Sequence, residues 1–321
     1  MLIFILKEGS DMAFKRRLDQ KKMGKIKKTD LWNNHLLPDI KAGVVFPAIR
    51  DNEVHFYYSG GCMFKYAGDN FKFNRSYFKP DYQTETTKET WKEYKISSQI
   101  YEKDYATLKF ICKEINGFDF CNEYENIKEV VKQKFYRKND EKIITERKYL
   151  EQLYPFTFGP ENSDVIVLDI EVRANFKTNV SNAEYAKCDL VLYNTTKSEL
   201  QLIEAKLCSD IRVKPRGILS PEVIEQIEKY NTWLKEDEDR NNILENYKNY
   251  IFIINQLFEI DLEEPKILKN TTKLVLFEGD DDYQKKHLDK LVNSTIGANN
   301  IAYYPVGQKI TNSDIWNDTC N

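Results

Sequence analysis

Histidine is nearly missing from this 321-residue chain: His35, His55 and His287 are the only three, and they lie far apart. That argues against a haem site, a histidine-centred hydrolase triad and a histidine-based nuclease site. The six cysteines, Cys62, Cys112, Cys121, Cys188, Cys208 and Cys320, form no C-x-x-C pair. No zinc site of ordinary spacing can be drawn from them, and such dispersed thiols read as reduced cysteines. With 12 glycines the chain has neither a G-x-x-x-x-G-K-[ST] loop nor a G-x-G-x-x-G turn, which argues against nucleotide chemistry through either device. Long apolar runs are absent as well. None approaches the roughly 20 residues of a membrane helix. The opening Met1–Leu6 stretch is too short for a signal-peptide core and has no basic segment before it. The expectation is a cytoplasmic protein without membrane contact.

What is present is a globular composition. Hydrophobic residues at 41% and charged residues at 31% argue against wholesale disorder, and the length suffices for one large domain or two modest ones. The net charge of -3 does not mark a nucleic-acid binder, but its distribution is uneven. Residues 1–30 carry nine Lys/Arg against four Asp/Glu, and the remainder carries 39 against 47. Any nucleic-acid contact must come from local patches. The run from Lys15 to Lys28 reads either as a solvated tail or helix, or as a basic arm on phosphates.

Residues 41–78 alternate apolar and polar positions. Val44–Phe46, Val54–Tyr58 and Met63–Tyr66 read as strands, with Asp51-Asn52, Gly60-Gly61 and Gly68-Asp69 as turns, together a small antiparallel sheet. Thr107–Cys112 and Ile127–Phe135 read as helices, and a soft boundary falls near the polar Arg137–Asp140. The pattern then becomes α/β. A helix runs from about Glu141 to Tyr154, followed by strands at Val165–Val172, Asp189–Tyr193 and Leu200–Leu207, the last two as a hairpin. A helix begins at Ser220-Pro221-Glu222, with proline at its first position, and extends to about Lys235. Strands at Tyr250–Asn255 and Leu274–Phe277 complete the expected order.

The chemistry is concentrated in Cys188-Asp189-Leu190-Val191-Leu192-Tyr193 and Leu200-Gln201-Leu202-Ile203-Glu204-Ala205-Lys206-Leu207. Side chains alternate along a strand, so Glu204 and Lys206 share one face and Ile203, Ala205 and Leu207 the other. Unpaired charge on an apolar strand is costly to bury. A neighbouring Asp189 makes the group a hard-oxygen site suited to Mg2+ or Mn2+, with an ammonium able to orient water or meet developing phosphoryl charge. Glu-x-Lys also occurs at Glu93, Glu146 and Glu264, in helical or turn-like sequence. An ion pair on an exposed sheet face is the competing reading. In the helix from Glu141, Glu146 shares a face with Ile143 and Leu150, so it either meets a partner or metal or forms a helix-edge salt bridge. Gln226 and Tyr230 are four apart and point the same way. Gln226 could orient water or phosphate and Tyr230 could pack on a sugar or base, or the two form a polar helix edge.

These pieces resemble the PD-(D/E)XK nuclease superfamily, the restriction-endonuclease-like fold. The matching residues are Glu146 with Leu150 and Leu153, Asp189, Glu204-Ala205-Lys206 and Gln226-x-x-x-Tyr230, the last similar to an element of RecB-like nucleases. The likeness covers roughly residues 141–280. It implies a mixed central sheet flanked by helices and metal-dependent phosphodiester hydrolysis. By that likeness Asp189 and Glu204 bind metal with the Ala205 carbonyl, Lys206 serves the attacking water, and Glu146 helps through water or a second ion. Glu171, on the preceding strand with Asp169 and Arg173, is a rival for Glu146. Arg212, Lys214 and Arg216 lead into the Gln226 helix and are either phosphate contacts or a solvated loop. The acidic run Glu278–Asp282 lacks the alternating spacing of a calcium loop and reads as a turn into a helix.

The expected organisation is a basic N-terminal arm (1–30), a smaller β-plus-helix recognition or partner-binding domain (31–140) and a nuclease-like α/β domain (141–321), α+β overall. The expected activity is Mg2+- or Mn2+-dependent hydrolysis of nucleic acid, DNA rather than RNA, in restriction, phage defence or DNA repair. It could work as a homodimer or in a larger complex. The alternative is a non-catalytic nucleic-acid-binding or assembly protein that keeps the fold.

Overall fold

The computed structural model describes residues 14–74, 77, 110–112, 119–135, 146–154, 164–175, 185–215 and 220–320. The run from Lys15 to Lys28 is an irregular segment followed by a short helix packed on the protein body. Asp19 accepts the Lys21 amide at the start of α1 (Gln20–Ile26), and Phe14, Leu18, Met23 and Ile26 are buried. Its lysines stay at the surface because the apolar residues recur at helical spacing on the opposite side. A wide helical turn, Trp32–Leu36, then runs into α2 (Leu37–Lys41).

Five antiparallel strands follow in sequential order: β1 (Phe46–Ile49), β2 (Val54–Tyr58), β3 (Gly61–Ala67), β4 (Asn70–Asn74) and β5 (Phe110–Cys112). Ser59-Gly60 and Gly68-Asp69 both have positive φ, which suits the two-residue turns that match strand twist. The helix expected over Thr107–Cys112 is corrected for its described part. Phe110–Cys112 pair antiparallel with Lys72–Asn74, where the open edge of β4 offers backbone hydrogen bonds that a helix would leave unused. The helix α3 (Tyr124–Phe135) covers β2 and β3 with Ile127, Val130 and Val131.

The second sheet is mixed. After α4 (Glu146–Leu153), the strands β6 (Val165–Asn175), β7 (Tyr185–Asn194) and β8 (Glu199–Leu207) form an antiparallel meander. Asn194 closes the β7–β8 hairpin by accepting the Lys197 amide. Two helices follow, α5 (Glu222–Lys235) and α6 (Asp237–Phe258), then β9 (Ile267–Leu268), β10 (Lys273–Gly279), β11 (Ile301–Pro305) and α7 (Asn312–Asn317). The strands β8, β10 and β11 are parallel neighbours. Pro221 occupies the N-cap of α5, one position earlier than expected. The acidic run behaves as expected: Asp280 accepts the Tyr283 amide and begins a helical turn.

The strand expected at Tyr250–Asn255 is corrected to the C-terminal half of α6. Ile243, Tyr247, Tyr250, Ile251, Ile254 and Phe258 are buried at spacings of three, four and seven, while Phe252 is 42% exposed. Ile253 and Leu257 widen the buried stripe because α6 touches both sheets. Tyr250 donates to the Pro47 carbonyl of β1, while Tyr247 donates to Asp169 on β6.

A continuous core runs from Phe14 to Trp316 and joins the two sheets, with Ile203, Ala205, Val275 and Phe277 facing into it. The other face of the second sheet, with Leu274 and Leu276, packs against Val223, Ile224, Ile227 and Tyr230 of α5. By strand alternation Glu204 and Lys206 lie on this α5 face.

Gly279, where β10 meets β11, tests this packing. A Cβ there would lie 2.1 Å from the Tyr303 ring, and that ring is fixed by stacking on Tyr283 and by donating to the Asp280 carbonyl. Gly279→Ala is expected to cost about 1–3 kcal/mol through overpacking. Urea unfolding reads the loss, and an unchanged midpoint would show that the ring has room to move.

Candidate active site

Strands β7 and β8 pair from Asn194–Glu199 to Leu190–Ile203 and then part. Past that point Asp189 replaces the backbone acceptor: its Oδ2 accepts the Ala205 amide at 2.9 Å. The Cys188 thiol, fully buried, reaches the Ile203 carbonyl at 3.1 Å.

Lys206 sits at the centre. Its ammonium donates to Glu204 and to the Ala205 carbonyl (2.7 Å). It lies 3.7 Å from Asp189 and 3.8 Å from Glu146, which α4 brings over the end of β8. Side-chain exposure rises from 2% at Lys206 and Glu204 to 14% at Asp189 and 26% at Glu146, so the cluster has a closed floor and an open mouth. From α5, Gln226 donates to Glu204 (2.7 Å) and to the Tyr230 hydroxyl (2.9 Å). Tyr230 in turn donates to the Lys187 carbonyl (2.6 Å). The sequence-predicted residues Glu146, Asp189, Glu204, Lys206, Gln226 and Tyr230, from four elements, thus form one connected group.

Burial and the neighbouring Asp189 charge push the Glu204 carboxyl up to about 8 and Glu146 to about 7. Burial also raises Asp189, against the pull of Lys206 and the Ala205 amide. At Lys206 burial opposes protonation, but the surrounding carboxylates outweigh it and raise the ammonium above its ordinary value. Three carboxylates thus surround one cation in a desolvated pocket. The donor set, carboxylate oxygens and one carbonyl, is the hard-oxygen chemistry that suits Mg2+ or Mn2+, and carboxyls whose burial favours the protonated form would exchange those protons for a further cation. Among the described residues no three His, Cys, Asp or Glu side chains form a ready metal cage; the carboxylates are arranged about the ammonium.

Comparison with protein-family models, curated proteins and solved structures finds no match. Function has to be read from the site itself.

The remaining candidates separate. Tyr230 is corrected as a nucleic-acid contact: it is 2% exposed, and its hydroxyl is spent on the Lys187 carbonyl and Gln226. It positions Glu204 and β7. Arg212, on the turn Ile211–Val213, is half-exposed and doubly bonded to Asp210. Lys214 is half-buried beside it, and Arg216 lies outside the described residues. Glu171 does not join the Lys206 cluster; Lys187 (3.3 Å) and Arg147 (3.8 Å) neutralise it. The Arg173 side chain lies outside the described residues. Asp169 is fully buried between Arg16 and Arg50. Sequence reasoning passed over Lys187 and Arg147. The available signal was local: Lys187 is two residues before Asp189 on a strand, and Arg147 follows Glu146 on a helix.

Proposed function

We propose that this chain is a divalent-metal-dependent nuclease that hydrolyses phosphodiester bonds of nucleic acid, DNA in preference to RNA. The observation that carries the reading is the convergence of Glu146, Asp189, Glu204 and Lys206 on one half-open pocket. No structural need explains three carboxylates there, because their burial is costly and a single ammonium offsets only part of it. The restriction-endonuclease-like resemblance of the same residues supports it, as does the mixed sheet flanked by helices.

Asp189, Glu204 and the Ala205 carbonyl would hold the ion, with Glu146 at the mouth. Once bound, the ion supplies Lewis-acid stabilisation of the developing phosphoryl charge. Lys206 orients the attacking water and donates to the phosphoryl oxygens in the transition state. Gln226 and Tyr230 hold Glu204 in place.

Incubation with linear and circular DNA, and with RNA, tests the reading in Mg2+, Mn2+ and EDTA. Cleavage that needs the metal is the expected result, and cutting of circles marks endonuclease action. No cleavage of any substrate in either metal would favour the non-catalytic binding or assembly protein.

A further inference from the structure

Two cations at the rim of the site reach the same carboxylate from different elements. Arg147 on α4 lies 3.8 Å and Lys187 on β7 lies 3.3 Å from Glu171 Oε1. Both cations are 41% exposed and Glu171 33%. Glu171 has φ 48, a left-handed backbone that a non-glycine residue adopts only where its surroundings hold it. The β6–β7 register passes from Ile170–Leu190 to Val172–Cys188, so Glu171 falls at the position across from Asp189.

The N-terminal sheet fixes this arrangement. A Cβ at Gly60, in the β2–β3 turn, would lie 2.2 Å from Arg147 Cδ. The turn therefore packs directly on the arginine stem. Lys187 is fixed through its carbonyl by Tyr230. Each cation stands within two residues of a carboxylate of the site, Arg147 next to Glu146 and Lys187 two before Asp189. Glu171 is shared between the two cations, and each of them remains 41% exposed at the mouth.

We propose that Arg147 and Lys187, gathered by Glu171, form a phosphate-binding rim that grips the backbone of the nucleic-acid strand being cut. This rests on the nuclease reading. The bound phosphate takes the place of Glu171 as partner, so the carboxylate competes with substrate.

Fluorescence anisotropy with a labelled DNA duplex tests this, with Ca2+ replacing Mg2+, over a salt series. Each of Arg147→Gln and Lys187→Gln is expected to weaken binding several-fold and to lower the salt slope by about 1, with Tm retained. Glu171→Gln is expected to tighten binding, and this gain should vanish when Arg147→Gln and Lys187→Gln are present as well, which simple removal of a charge that repels phosphate would not produce. Unchanged slopes in both cation variants, or weaker binding by Glu171→Gln, overturn the rim while wild-type cleavage keeps the nuclease reading. A wild-type protein that neither binds nor cuts DNA or RNA removes that reading and the rim with it.

Discussion

Lys206→Met should lose cleavage by about 100-fold or more, the scale of removing a positioned donor to transition-state charge. The same substitution should destabilise the fold. It leaves Glu204, nearly fully buried, with Gln226 as its close partner among the described residues, and removing one member of a buried pair costs about 3–5 kcal/mol. Glu204→Gln separates the two effects. The amide oxygen can still accept from Lys206 and Gln226, and a buried carboxyl already pushed up to about 8 is replaced by a group that never ionises. Activity should be lost and Tm should rise, the trade expected where a site holds unfavourable charge for function. Rates under single-turnover conditions and thermal melts of both variants are the measurements. A Glu204→Gln protein that is less stable than wild type would mean that the carboxylate serves the fold and not chemistry.

The second large effect lies away from the site. Asp169 is fully buried on β6 and joins Arg16 (2.7 Å), Arg50 (2.6 Å), Tyr247 (3.2 Å) and the Ile170 amide (2.8 Å). It ties the N-terminal segment, the first sheet and α6 to the second sheet. Asp169→Asn keeps one acceptor but turns a donor toward an arginine and leaves a buried guanidinium poorly paired. The expected cost near neutrality is about 3–5 kcal/mol, read by urea unfolding. Burial alone would raise this carboxyl, but Arg16 and Arg50 prevail and hold it below the ordinary 3.8. A depressed carboxyl stabilises above its unfolded value and loses that contribution as pH falls through the folded one. The gap between wild type and variant should therefore persist from neutrality to about pH 4 and close below it. A gap that does not change with pH would assign the loss to shape and not to charge.

The expected elements that survived were those with a local cause. The β7–β8 hairpin follows from alternation broken by Asn194–Ser198, and the start of α5 from Ser220-Pro221-Glu222. The misread elements had local patterns open to either structure. Tyr250-Ile-Phe-Ile-Ile-Asn is apolar enough for a strand, and only the stripe begun upstream at Ile243 reveals the helix. Phe110–Cys112 is too short for periodicity to decide, and its partner β4 settled it. Likewise Asp169 and Glu171 look like strand neighbours on one face, yet Asp169 is fully buried while Glu171, with its left-handed backbone, is 33% exposed beside Arg147 and Lys187.

By itself the sequence determined which side chains could do chemistry: Asp189, Glu204 and Lys206 in apolar strands, with Glu146, Gln226 and Tyr230 at helical positions. Residue type and period suffice for that, because they fix chemistry and side-chain direction within one element. Tertiary structure decided which of them meet and which face outward. It turned Tyr230 inward, gave Glu171 to Arg147 and Lys187, and buried Asp169 between Arg16 of the N-terminal segment and Arg50 at the end of β1. The reason is physical: burial and charge pairing depend on distances between elements, and those distances are set by how the two sheets, α4, α5 and α6 pack rather than by spacing along the chain.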